Sequence, residues 1–181
     1  MSVMPQPDRR PKPGSSNSLP PLSLFSMELS RNLRVDSVAR LHPAPPLAIE
    51  DNQPVSAAVD AMRTEKTGCL LVTRQGRLVG IFTERDLLTR VLAGDLPGGV
   101  PMAECLTSNP VKVCPQDSVQ TAIERMEKGG YRHLPVVDES NRPVGILSAQ
   151  RVVHYLAEHC PALVYNQPPD PSKVPESAEG A

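Results

Sequence analysis

The chain reads as an α/β protein, two tandem β-α-β-β-α repeats packed about a pseudo-twofold axis. Three observations predict this. A helical stripe recurs at an offset of about 65 positions. Each copy of the stripe is followed by two short apolar runs separated by turn residues. The second run of each pair leads straight into a Thr or Ser that suits a helix start.

The stripe comes first. Val55, Ala58, Val59 and Met62 match Val119, Ala122, Ile123 and Met126. The spacing i, i+3, i+4, i+7 is one face of an amphipathic helix. Asn52 or Gln53 precedes the first helix, with Pro54 in its first turn. Asp117 is the expected cap of the second, and Gly129-Gly130 its stop.

The apolar runs 69–72 and 134–137 are too short for helices and read as buried strands. Turn residues fill 74–77 and 138–142. Further strands follow at 78–82 and 143–147, so each pair should form a hairpin, the second with one extra turn residue. Helices then start at Thr83 and Ser148. Short strands at 47–49 and 111–113 head the two units. One unit has helices on one side of its small sheet and a bare apolar face on the other. The second unit is the most economical cover for that face, and the contact leaves clefts.

The folded part is expected to be shorter than the chain. The 21 prolines of the 181 residues cluster at the ends. Residues 1–33 read as a flexible Pro/Ser/Arg-rich tail and 161–181 as a flexible, Pro-rich acidic one. The repeats then occupy 34–98 and 99–160. Met27 is a second plausible start. Two Phe, three Tyr and no Trp make the core aliphatic.

A net charge of -1 argues against a dedicated nucleic-acid binder. No apolar run approaches the roughly 20 residues of a membrane span. Cys69, Cys105, Cys114 and Cys160 show no CxxC pairing and no His at ligand spacing, so no metal is expected. Their use fits a reducing, cytoplasmic setting.

Function is carried by two segments. In Gly80-Ile-Phe-Thr-Glu-Arg-Asp86 a strand feeds directly into a helix. The first amides of such a helix suit a phosphate, Thr83 adds a hydroxyl, and Asp86 can accept from two vicinal hydroxyls. Alone, Thr-x-x-Asp is equally a capping box, a far commoner use. In Tyr131-Arg-His-Leu-Pro135, Arg132 and His133 stand where the first repeat has Gly68 and Cys69. They can neutralise phosphate at a cleft edge, or be ordinary solvated charges.

Together, the Gly-apolar-apolar-Thr-x-x-Asp pattern, the Arg-His-Leu-Pro-Val-Val-Asp run and the tandem units resemble a CBS-domain pair, or Bateman module, over residues 35–160. The resemblance implies a cleft between repeats that binds an adenosine derivative: AMP, ADP, ATP or S-adenosylmethionine. It implies that Asp86 holds the ribose hydroxyls, that Thr83 lies near ribose and phosphate, and that Arg132 and His133 reach the phosphates. Ile81 and Val111 are assigned to adenine by position. It also implies a homodimer acting on a regulated protein that the sequence does not identify.

The second cleft departs from the pattern. Ser148 matches Thr83, but Arg151 replaces the acid, and an arginine cannot accept hydrogen bonds from ribose. One nucleotide per chain is expected, with the other cleft empty or holding a different anion. Catalysis is not expected, because no nucleophile has an evident base and orienting partner. The alternative reading is a structural or dimerisation module without a physiological ligand.

Overall fold

The computed structural model of the chain describes residues 22–159. Both expected tails, apart from residues 22–33, lie outside that range, and so does Cys160.

The first half contains β1 (Ala48–Glu50), α2 (Val55–Thr64), β2 (Cys69–Arg74) and β3 (Arg77–Thr83). Next comes α3 (Glu84–Asp86), which continues as a π-helical segment, Leu87–Leu92. The second half has β4 (Thr107–Ser108), α4 (Val119–Gly129), β5 (His133–Val137), β6 (Pro143–Ser148) and α5 (Ala149–His159). A further helix, α1 (Leu22–Val35), precedes both halves.

The expected hairpins form. β2 and β3 pair antiparallel around Gln75-Gly76, both at positive φ. That is the backbone of a two-residue hairpin turn whose twist matches the strands. β5 and β6 pair likewise, with Asn141 at positive φ in the longer turn. Burial follows the period of two. Leu70, Val72 and Phe82 face the helices of the first half, while Cys69, Leu71 and Ile81 join Val137 and Ile146 of the second. The bare faces of the two sheets thus cover each other.

The halves also exchange their leading segments. The 3-10 turn Val38–Leu41, which precedes the first half in sequence, buries Val38 and Leu41 in the second half's core. The turn Met102–Glu104 sends Met102, together with Cys105, into the first half's core. β4 then lies on the edge of β3, and Ala44 makes the corresponding bridge to Ile146 beside β6. Both crossings need a glycine opposite them. A Cβ at Gly80 would stand 2.7 Å from the Leu106 side chain, and one at Gly145 would stand 2.9 Å from Pro43. The Val-Gly-Ile of each repeat is therefore a close-approach requirement.

Four expectations need correction. The reading of residues 1–33 as a tail fails from Leu22, because α1 is helical and packs Leu33 against the second core. Its C-terminal end is tied down through Asp36, which accepts from Arg40 and from the Tyr155 hydroxyl of α5. The Tyr155 hydrogen bond, with Arg40 contributing, holds the Asp36 carboxyl below its ordinary range. Second, residues 111–113 do not form a strand; only Val113 bridges, parallel, to Val136. Third, α4 is capped by Ser118, whose hydroxyl accepts from the Thr121 amide. Asp117 instead accepts from the Cys114 amide and Arg125. Fourth, Pro54 takes the cap position of α2 itself, and the loop carbonyls of Val100 and Gly98 accept its first amides.

Candidate functional site

The two halves and the segment between them enclose a cleft of about 420 Å³. Its lining includes Ile81, Thr83, Asp86, Val111, Arg132 and His133, so the six residues assigned to the ligand from the sequence stand on one cleft. The pseudo-twofold arrangement explains the meeting. The end of β3 and the start of α3 supply Ile81, Thr83 and Asp86. The loop leading into β5 supplies Arg132, and β5 itself starts at His133. Val111 comes from the stretch that follows β4.

Asp86 is the fixed point of the cleft. It is 8% exposed. Its Oδ2 accepts from the Thr83 amide at 3.0 Å and the Thr83 hydroxyl at 2.6 Å. The Thr83 hydroxyl in turn accepts from the Asp86 amide at 3.3 Å. This is a complete capping box, so the commoner reading of Thr-x-x-Asp is true of this helix. Oδ1 faces the other way. It accepts from the Thr107 hydroxyl at 3.0 Å and is paired with Arg90 Nε at 3.2 Å. A carboxylate has about four lone-pair sites, and here four donors approach them.

Two of the first three amides of α3 are already used internally. The Glu84 amide donates to the Gly68 carbonyl, and the Thr83 and Asp86 amides are used within the capping box. Positive charge in the cleft comes from side chains. Arg85 and Arg132 line the cleft without an ion pair or side-chain hydrogen bond among the described residues. Glu84 opposes them: its carboxylate lies where a Cβ on Gly68 would meet it at 3.3 Å. Burial, and then Arg132, lower the His133 pKa from its ordinary 6.5, while Glu84 pulls the other way. His133 is therefore mainly a neutral imidazole at pH 7.

Sequence reasoning missed Glu84, Arg85, Thr107, Asn109 and Tyr131, which share the lining. Arg90 was legible as the i+4 partner of Asp86 on a helix. Thr107 had no such signal, because a two-residue strand shows no periodicity. In the second half the Ser148 hydroxyl accepts from the Arg151 amide at 3.3 Å. Arg151 thus takes the place that Asp86 has in α3, and the capping is one-sided.

Burial pushes the Cys69 thiol up to about 11, with Glu84 adding to the shift against a hydrogen bond from Thr67. Burial also raises Cys105. Neither is a thiolate at neutral pH. Among the described residues no group of three or more His, Cys, Asp or Glu is placed to hold a metal ion, and no helix is long and apolar enough to cross a membrane.

Paired hairpins, exchanged leading segments and a cleft shared by both halves define a tandem-repeat α/β module. The model of the CBS domain matches residues 38–93 and again 102–158. The chain belongs to the CBS domain family. Among curated relatives, it is 31% identical over 146 residues to the CBS domain-containing protein CBSCBSPB5 of Arabidopsis thaliana, covering 77% of this chain and 26% of that one. It is 32% identical over 100 residues to the CBS domain-containing protein YhcV of Bacillus subtilis, covering 55% of this chain and 71% of that one. The match to the meiotically up-regulated gene 70 protein of Schizosaccharomyces pombe is 35% identical, covering 57% of this chain and 14% of that one. The chain thus spans about a quarter or less of the Arabidopsis and yeast relatives.

Two solved structures show the same fold. The CBS domain pair of MJ0100, in complex with 5'-methylthioadenosine and S-adenosyl-L-methionine, superposes with a TM-score of 0.62 at 23% identity. The match covers 68% of this chain and 98% of that one. The CBS domain protein PAE2072 from Pyrobaculum aerophilum, complexed with AMP, gives 0.61 at 25% identity, covering 68% and 99%.

Proposed function

We propose that the chain is a non-catalytic regulatory module. It binds one adenosine-containing ligand (AMP, ADP, ATP or S-adenosylmethionine) in the cleft between its CBS repeats and signals occupancy to a partner protein. One observation carries the reading: Asp86, from the first repeat, and Arg132 and His133, from the second, line the same cleft. A carboxylate fixed by its own helix cap is a ribose acceptor, and the unpaired Arg132 guanidinium from the other repeat is a phosphate donor. The AMP and S-adenosylmethionine in the two solved relatives support the ligand class.

A ligand of both repeats favours the arrangement in which they close on it, and that differential affinity is what a partner would read. The exposed Leu88, Leu92 and Val153, on the helices that end the two repeats, support a homodimer in which a second copy covers them. The buried, protonated thiols support a reducing, cytoplasmic setting. The structural or dimerisation module remains the competing reading, and the complete internal satisfaction of Asp86 is the observation in its favour.

Thermal shift with AMP, ADP, ATP, S-adenosylmethionine and adenosine separates the two, since a ligand of the native state raises the Tm. At least one phosphorylated compound is expected to do so. Arg132→Ala should then weaken it about tenfold, as expected for loss of a charge-assisted contact, and spare adenosine. A dimer that responds to none of the five is the structural module.

The His133 environment adds a pH dependence. A pKa lowered in the folded protein means that the imidazole gains a proton only on further acidification. Bound phosphate stabilises the protonated form and raises that pKa, so AMP binding takes up protons. AMP affinity should rise as pH falls towards the lowered His133 pKa; the phosphate, with a second pKa of about 6, titrates in the same range, so the His133→Gln profile is the control that isolates the imidazole. Adenosine affinity should stay level, and His133→Gln should flatten the AMP profile. A profile for AMP as flat as that for adenosine in the unaltered protein removes His133 from the phosphate end.

A further inference from the structure

We infer that Thr107 is an affinity-determining residue of this cleft: its hydroxyl holds the Asp86 oxygen that a ribose diol must take. The inference rests on the adenosine reading above and deepens it.

The geometry is specific. Asp86 Oδ2 is committed to the capping box and points back along its own helix. Oδ1 is the oxygen left for the cleft, and the Thr107 hydroxyl donates to it at 3.0 Å. Thr107 lines the cleft with Asp86, whereas Arg90, the other partner of Oδ1, is not part of the lining. A diol approaching from the cleft therefore meets Thr107 first. The same hydroxyl accepts from Arg90 Nη2 at 3.3 Å, and Arg90 Nη1 donates to the Leu106 carbonyl at 2.8 Å. When a ribose hydroxyl takes over Oδ1, Thr107 keeps the hydrogen bond that it accepts and only its proton must turn to another acceptor. Displacement is thus possible without breaking β4.

This arrangement tunes affinity downward. A hydrogen bond to a charged acceptor is worth more than a neutral one, so the diol gains an exchange and not a fresh pair. Arg90 is a positioning residue here: it fixes the Asp86 carboxylate and the Leu106-Thr107 backbone against each other. Because Thr107 lies in β4 of the second half, which pairs with β3 of the first, the turn of its hydroxyl occurs where the two halves meet.

The test uses calorimetric titration of the full chain with adenosine and with 2',3'-dideoxyadenosine, which lacks the diol. Thr107→Val keeps the shape and loses the donor, and Thr107→Ser keeps the donor. Thr107→Val is expected to bind adenosine about tenfold more tightly, the size of one such hydrogen bond. Thr107→Ser should match the unaltered chain, and dideoxyadenosine should gain nothing in either variant. Adenosine bound equally or more weakly by Thr107→Val overturns the inference and leaves the adenosine reading standing. An equal gain for both nucleosides also overturns it, since the effect is then steric. No binding of adenosine by the unaltered chain and Thr107→Val alike overturns the adenosine reading, and the inference with it.

Discussion

Asp86→Ala and Asp86→Asn should each abolish measurable adenosine binding, with Kd rising about 100-fold or more. The reasoning is chemical. A ribose presents two O–H donors, and only a carboxylate offers acceptors in two directions while its other oxygen stays locked in the cap. The asparagine amide keeps one acceptor, but it turns an N–H₂ towards the Thr107 hydroxyl or the Thr83 donors. Because the diol replaces Thr107 at Oδ1 while Arg90 keeps its place there, the expected loss sits near the upper end of what one hydrogen bond to a charged group is worth. Both variants also lose part of the Thr83 capping box. That costs about 1 kcal/mol of stability and leaves a folded protein in which binding can be measured. The control is 2',3'-dideoxyadenosine, whose weaker binding should not change. Adenosine bound by folded Asp86→Asn as tightly as by the unaltered chain would remove Asp86 from the ribose site.

The repeat was legible because its helices and hairpins are long enough to show a period. Val55 to Met62 and Val119 to Met126 display three and a half residues per turn, and the buried strands alternate between two cores. What escaped notice lacks a period. β4 is two residues long, and its bridging counterpart at Ala44 is one. The exchange of Val38 and Leu41 for Met102 and Cys105 is a tertiary choice, made by which half-core has room. It leaves a trace only in the glycines at 80 and 145, which could be read as bulges or bends. Helix α1 was hidden by the prolines just before it, although Leu29 and Leu33 stand at helical spacing.

The candidate site divides in the same way. Four of the six residues named from sequence, Thr83, Asp86, Arg132 and His133, sit on motifs, where a helix cap or a strand entrance places the residue; Ile81 and Val111 were assigned by position alone. The opposite mistake concerned the amides at the start of α3. They were expected to be open to a phosphate, but Gly68 and the capping box occupy those of Glu84 and Asp86. A cap can be predicted from four residues. What a carbonyl from another loop does to the same helix end cannot, because Gly68 and Glu84 are neighbours only after β2 and β3 have paired.

The second large effect follows from that pairing. Leu71→Ala should lower stability by about 2–5 kcal/mol, the range for truncating a buried leucine. For a domain whose whole stability is of order 5–15 kcal/mol, this is a large share. Leu70→Ala should cost about as much, since both side chains are fully buried. The two differ in where the cavity opens. Leu70 packs with the helices of its own half, whereas Leu71 packs in the cluster that joins Ile81 to Val137 and Ile146. Only Leu71→Ala loosens the contact between the sheets. The reporter is the Leu78 amide, which donates across that contact to the Asn141 carbonyl at 2.9 Å, while the Asn141 side chain donates back to the Leu78 carbonyl. Hydrogen exchange at Leu78 should quicken in Leu71→Ala beyond what its lost global stability explains, and should not do so in Leu70→Ala. Both variants should still unfold in one transition, because Val38, Leu41 and Met102 keep each core dependent on the other half of the chain. Equal protection of Leu78 in the two variants would mean that the inter-sheet cluster does not hold the halves together. Ile81 belongs to that cluster and to the cleft lining alike, so the packing that joins the repeats also shapes one wall of the site they share.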